Sequence, residues 1–318
     1  MQYIGLDKQI RKNNFNSLLL LIAFPVLLLV MIYAAVYFIT QNHNTNAESY
    51  EAVYNANETF IGIVPIVLAA VGIWFLIAWL GHSAFIRLAT GSKPLERKEN
   101  KRVYNLVENL CIQSGMTMPK IYVIEDDSLN AFASGINQNT FSVSLSRGII
   151  NKLEDDELEG VIAHELTHIK NRDVRVLIIS IIFVGIFAFL AELAFRSLRF
   201  SGRGSKDSKG SGVIILIAIV VTSLAYLISM LLRFGISRRR EYLADAGGAE
   251  MTKKPYALAN ALKKISADPY IEAVESRDVA QLFFENPKPS AHKSASWDNM
   301  FATHPPIEKR IELLEQFV

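Results

Sequence analysis

Residues 164 to 168 read His-Glu-Leu-Thr-His, two imidazoles one helical turn apart with a carboxylate beside the first. Positions i and i+4 share a helix face, so His164 and His168 can close on one metal ion with Glu165 next to it as general base, the pattern of a zinc hydrolase. Zinc that performs chemistry takes three protein ligands and keeps a further position open. The third ligand must come from elsewhere in the chain. Residues 238 to 249, Arg-Arg-Arg-Glu-Tyr-Leu-Ala-Asp-Ala-Gly-Gly-Ala, are compatible with a helix and set Glu241 and Asp245 one turn apart. Glu241 is the expected third ligand, and Asp245 the group that accepts the outer ring N–H of a ligating histidine and fixes its tautomer. Taken alone, the two acids also read as a solvated helix face beside a membrane. A topology that returns both segments to one side of a bilayer favours ligation. One Zn2+ per chain is expected.

The elements that carry these residues follow from periodicity. From Asp155 to Arg172 the pattern is helical, with acids at the positive N-terminal end and Lys170 and Arg172 at the other. Val161, His164, Glu165 and His168 share one side, and Ile162, Leu166 and Ile169 face packing. Lys101 to Cys111 is a second helix, ended by Gly115 and Pro119. Lys120-Ile-Tyr-Val-Ile reads as a strand, and Phe141-Ser-Val-Ser-Leu alternates strictly, so a small sheet is expected, with the Phe141 to Leu145 strand offering an edge to an extended substrate. Cys111 is the only cysteine, which excludes an intrachain disulfide and reads as a buried, inert thiol.

The chain is 51% hydrophobic, and its apolar residues gather into four runs, 17–39, 60–84, 174–196 and 213–232. Each has about the 20 residues that cross a hydrocarbon core as a helix. Pro25 and Pro65 fall inside the first two, where membrane helices tolerate them. The first run is too long, and its end too poor a cleavage site, for a signal peptide, so it reads as a retained anchor. Lys8, Arg11 and Lys12 place residues 1–16 on the cytoplasmic side, and the segment from Gln41 to Thr59, without Lys or Arg, on the other. Arg87, Lys93, Arg97 and Lys98 mark the return. The 197–212 connector carries four basic residues and one acid; either the last two runs form a shallow hairpin or this loop departs from the charge rule. Both options bring 85–173 and 233–318 to one face of the bilayer as the two halves of a catalytic domain. Arg238, Arg239 and Arg240 read as a juxtamembrane anchor. The net charge of +2 is accounted for by this topology, and nothing points to nucleic acid.

Four motifs in order resemble those of the HtpX-type membrane zinc endopeptidases, relatives of the type I CaaX prenyl proteases and the Oma-type proteases. They are Asn130-Ala-Phe-Ala-Ser-Gly, Glu157-Leu-Glu-Gly-Val-Ile-Ala-His-Glu-Leu-Thr-His, Arg239-Arg-Glu-Tyr-Leu-Ala-Asp-Ala-Gly-Gly-Ala and Thr303-His-Pro-Pro-Ile-Glu-Lys-Arg-Ile. The resemblance covers most of the chain. It implies an α-helical membrane protein with an α+β zincin-like (gluzincin) catalytic domain, mainly helical with a small β-sheet. It also implies His164, His168 and Glu241 as zinc ligands and Glu165 as general base, in agreement with the residues themselves. Asn130 and His304 then match positions that hold the substrate or the oxyanion. The expected setting is the inner or plasma membrane of a bacterium, with the catalytic domain cytoplasmic. There the enzyme cuts unfolded polypeptides or misfolded membrane proteins in quality control and stress response. Arg172 stands where relatives often have Gly.

Two other classes compete. A catalytically silent, metal-stabilised membrane scaffold has no use for Glu165. A transporter needs ionisable residues inside its spans, and only Glu192 and His82 approach that description, both near run ends.

Overall fold

The computed structural model of the 318-residue chain describes residues 6–43, 49–201, 238–266, 283 and 305–316. In chain order the elements are α1 (Leu6–His43), α2 (Ser49–Thr90), β1 (Lys93–Pro94), α3 (Lys101–Ser114), β2 (Lys120–Ile124), β3 (Ala131–Ser134), β4 (Ser142–Ser146), α4 (Arg147–Lys152), α5 (Asp155–Asn171), α6 (Asp173–Ser201), α7 (Arg238–Thr252), α8 (Pro255–Ile265) and α9 (Ile307–Glu315). They divide into two compact units, residues 17–80 with 179–232, and residues 1–16 with 81–178 and 233–318.

In the first unit α1 and α2 are long and apolar enough to cross a membrane. None of the most apolar stretch of α2 is buried, and only 17% of that of α1, so neither is the core helix of a soluble fold. Side chains such as Ile66, Ile77 and Leu80 point outward, as a lipid-facing surface requires. The interior is aromatic. Phe183 of α6 stacks on Phe24 of α1, with centroids 4.3 Å apart, and lies 5.7 Å from Phe75 of α2. Pro25 and Pro65 are accommodated within unbroken helices. Between the first two apolar runs, residues 41–43 and 49–59 are helical, because α1 runs to His43 and α2 starts at Ser49. Adding residues to an existing helix costs far less than nucleating one, and Tyr33 donates a 3.0 Å hydrogen bond to Asn57 across this end. The third apolar run is helical within α6, which also takes up residues 197–201 of the expected connector. The fourth run lies outside the described residues.

The second unit is built on a four-stranded sheet of order β1-β2-β4-β3. β2 and β4 are parallel, with Ile121 opposite Val143, and β3 is antiparallel to β4, with Ala133 opposite Val143. The order corrects one expectation. β4 is interior, both its edges are taken, and it cannot pair with a substrate. The outer edge belongs to β3, whose Phe132 forms an antiparallel bridge with Phe283. α3 starts at an Asn100 cap on the Val103 N–H and ends at Gly115 in the left-handed region. Arg102 fastens it to the sheet side by donating to the carbonyls of Ile150 and Leu153, both at 2.7 Å, and by pairing with Asp155.

Cys111 is buried on α3, and burial pushes its thiol up to about 11. At pH 8 its thiolate fraction is then roughly 0.001, against roughly a quarter for a free thiol. Iodoacetamide is expected to label denatured protein at least about a hundredfold faster than native protein. Equal rates would contradict the buried position.

Candidate metal centre

α5 brings three of the expected site residues to one place, and its ends explain its position. Glu157 accepts from the Glu154 N–H at 2.9 Å and pairs with Lys264 of α8 at 2.7 Å. Lys254 reaches Asp156 and Glu159 at 2.7 and 3.2 Å. The other end stops at Arg172, whose φ of 59° turns the chain into α6. α5 packs against β3, α7 and α8. Its contact with α7 runs through Gly247 and Gly248: a Cβ at Gly247 would lie 2.5 Å from Thr167 Cγ2, and one at Gly248 3.1 Å from His164 N. The small residues let the two helix backbones approach closely enough for Glu241 to reach the histidines.

His164, His168 and Glu241 each present one ligand atom, all within 4.8 Å of one another. The two Nε2 atoms are 3.1 Å apart, with Glu241 Oε2 3.7 Å from one and Oε1 3.6 Å from the other. Both outer ring nitrogens face carboxylates. His164 Nδ1 is 2.9 Å from Asp245, and His168 Nδ1 is 3.2 Å from Asp173. That network assigns the proton to Nδ1 in each ring and aims two Nε2 lone pairs, with the Glu241 carboxylate, at a common point. Two nitrogens at about 2.0–2.1 Å from a tetrahedral zinc stand about 3.3 Å apart, so the donors fit such an ion in type and spacing.

Electrostatics agree. Burial opposes charge on His164, yet Asp245 and Glu241 outweigh it and raise its pKa to about 9. This ring sits in negative surroundings that suit a cation. Glu165 is also buried, and burial raises its pKa; His164 and His168 lower it, Glu241 raises it, and a backbone hydrogen bond from Ala133 of β3 lowers it. The net direction is upward, which makes this carboxylate a stronger proton acceptor than an ordinary glutamate.

Behind these groups lies a residue that sequence reasoning passed over. Arg310 of α9 is fully buried and grips Asp245 through two hydrogen bonds of 2.8 Å, from Nε to Oδ2 and from Nη2 to Oδ1. Its Nη1 lies 4.0 Å from Glu241. Asp173, also unassigned from sequence, accepts from Asn13 at 2.6 Å as well as orienting His168. Its signal was its place just past the end of the helix, one turn beyond His168. Arg240 is a correction: it is buried, not anchored in headgroups, and donates to the Asp173 carbonyl at 3.3 Å, because the same turn of α7 that aims Glu241 inward carries it along.

Asn130 is fully buried at the head of β3, where its Oδ1 accepts from the Ala131 N–H at 3.0 Å and its backbone exchanges hydrogen bonds with Ser146. It stands three residues before Ala133, which bonds to Glu165. His304 lies outside the described residues.

Comparison with known proteins adds context. Residues 97–318 match Peptidase family M48. A protein named Protease HtpX homolog from Bacteroides fragilis (strain ATCC 25285) is 55% identical over 322 residues, covering all of both chains. Another so named, from Listeria monocytogenes serotype 4a (strain HCC23), is 35% identical over 323 residues, or 98% of this chain and 99% of that one. The crystal structure of S. mikatae Ste24p aligns with a TM-score of 0.48 at 19% identity, over 97% of this chain and 67% of that chain.

Proposed function

This chain belongs to peptidase family M48 as a membrane metalloprotease, and from that premise we propose that it is a zinc-dependent endopeptidase of the bacterial cell membrane. Its substrates are unfolded polypeptides and misfolded membrane proteins, cut on the cytoplasmic side in protein quality control. The reading is carried above all by one observation: two histidine Nε2 atoms and the Glu241 carboxylate converge, with both outer ring nitrogens held by carboxylates and Glu165 alongside. The catalytic domain is the unit of residues 1–16, 81–178 and 233–318, of zincin-like kind, with the sheet beside the metal-binding helix. The cytoplasmic side rests on Lys8, Arg11 and Lys12 before the first span and on Arg87 to Lys98 after the second.

His164, His168 and Glu241 hold the zinc, which when bound supplies Lewis acidity toward a scissile carbonyl and a water of lowered pKa. Glu165 would accept a proton from the attacking water on its carboxylate and return it to the leaving amine. Asp245 and Asp173 hold the two rings so that Nε2 faces inward throughout. Asn130 and His304 donate to the oxyanion that develops on the carbonyl oxygen.

Metal removal tests this directly. Detergent-purified protein is expected to contain one zinc per chain and to cleave an unfolded membrane protein. A chelator should remove metal and cleavage together, zinc should restore both, and Glu241→Gln should bind zinc about 10-fold or more weakly. Undiminished cleavage after the zinc is gone would sink the proposal.

A further inference from the structure

A cavity of about 710 Å³ lies in the second unit, apart from the three converging metal-site residues. Its walls are the N-terminal part of α1 at Ile10, the turn between β3 and β4 at Asn137 and Asn139, and the junction of α5 with α6. Three cations line it, Lys170, Arg172 and Arg175, and among the described residues no acid does. The neighbouring acid, Asp173, is engaged by Asn13 and His168. Arg175 Nε is buried without a hydrogen-bond partner among the described residues. Gathering like charges round one concavity, with one guanidinium nitrogen removed from water and unmatched, costs free energy that an anion recovers.

Arg172 adds an independent sign. It occupies the left-handed position that ends α5, at φ 59°, where glycine is free of strain and an arginine is not. Capping needs only its backbone N–H, which reaches the carbonyls of His168 and Ile169. The side chain is not needed for the turn; it lines the cavity, with Nη1 donating to Asn14 Oδ1 at 3.1 Å.

The location narrows the ligand. Ile10 is the first residue of the candidate span in α1, and Arg175 is the second residue of the apolar run in α6, so the cavity stands at the ends of two apolar stretches, where headgroups begin. Guanidinium forks match phosphate oxygens, and the asparagine amides add neutral donors. We propose that this cavity binds a phosphate anion, supplied by the headgroup of an anionic phospholipid. A phosphocholine headgroup fits poorly, because its ammonium would meet three cations. Lys8, Arg11 and Lys12, the ordinary positive-inside residues, do not line the cavity. The inference rests on the membrane placement of the chain and not on its proteolytic chemistry. It also has a consequence for that chemistry, since the ligand would brace the last turn of the helix carrying His168.

The test follows thermal unfolding of the full chain in nonionic detergent, titrated with short-chain phosphatidylglycerol, short-chain phosphatidylcholine or inorganic phosphate. Phosphatidylglycerol is expected to raise the midpoint of the wild type and phosphatidylcholine to leave it unchanged. Arg172→Gly with Arg175→Gln should weaken the effect about tenfold or more, and Lys8→Gln/Arg11→Gln/Lys12→Gln should not. Arg172→Gly alone relieves the backbone, so a folded variant with reduced binding is at hand even if the double variant unfolds. The proposal falls if these variants bind phosphatidylglycerol like the wild type, if the triple variant loses as much, or if phosphatidylcholine acts equally. Inorganic phosphate binding as tightly as the lipid would overturn the lipid source and assign the site to free phosphate.

Discussion

Glu165→Gln is expected to lower cleavage by about 10²–10⁴-fold while leaving one zinc in place, because a positioned proton acceptor contributes a factor of that size and an amide of the same shape cannot take the proton. Glu165 is not among the three groups that converge on the metal position. The substitution keeps an oxygen for the Ala133 hydrogen bond and removes a carboxylate whose pKa burial has raised, so it relieves desolvation and should not cost stability. Metal analysis and turnover on the same samples check both halves. A metal-stabilised scaffold predicts no change in any function of the protein. Loss of zinc together with loss of cleavage would mean that Glu165 supports the metal, and would remove it from the proton-transfer role.

How far the site was legible depended on whether a residue's neighbours lie along its own element. His164, Glu165 and His168 share a helix turn, and Glu241 and Asp245 share another, so periodicity and ligand chemistry pick out all five as candidates, of which His164, His168 and Glu241 meet at one point. The capping acids and the last-turn bases of α5 were visible for the same reason. β3 was not, because Ala131 to Ser134 is buried on both faces and shows no alternation. The Phe141 to Leu145 alternation misled in the opposite way. Ser142, Ser144 and Ser146 look like a wet face but are buried, with Ser142 bonded to Ser134 at 2.8 Å and Ser146 to the Ser128 carbonyl at 2.6 Å. Small hydroxyls satisfied within the sheet imitate the pattern of an exposed one, and an interior strand was read as an edge. Arg240 and Arg310 escaped because arginine at a helix surface is the ordinary case. Only a partner from another element, Asp173 for one and Asp245 for the other, makes burial tolerable, and such pairing across long sequence separation leaves no local trace.

Arg310→Met is expected to destabilise the protein by about 3–5 kcal/mol, since removing one member of a buried ion pair leaves the other charge uncompensated. The remaining charge is Asp245. In the intact protein burial pushes its pKa up, but Arg310, by charge and by hydrogen bonding, and His164 after it outweigh burial and hold it below the usual carboxylate value. A depressed carboxylate stabilises the fold above the unfolded-state pKa, and that stabilisation is lost as pH falls through the lower folded value. Without Arg310 burial is expected to outweigh the remaining contribution of His164, so that the folded pKa moves above the unfolded one and the sign reverses. The variant then loses stability as pH rises from the unfolded-state pKa to the raised folded one, so its deficit is largest near neutrality and shrinks toward acid. Denaturant unfolding across pH would show the two curves converging at low pH, and parallel curves would exclude Asp245 as the source. Zinc affinity should fall about 10–100-fold in the same variant, the usual cost of disturbing a group that orients a metal ligand. The carboxylate that steers His164 is itself held in place by Arg310 from the C-terminal helix. The proposed metal binding would then depend on a contact between residues 65 apart in sequence.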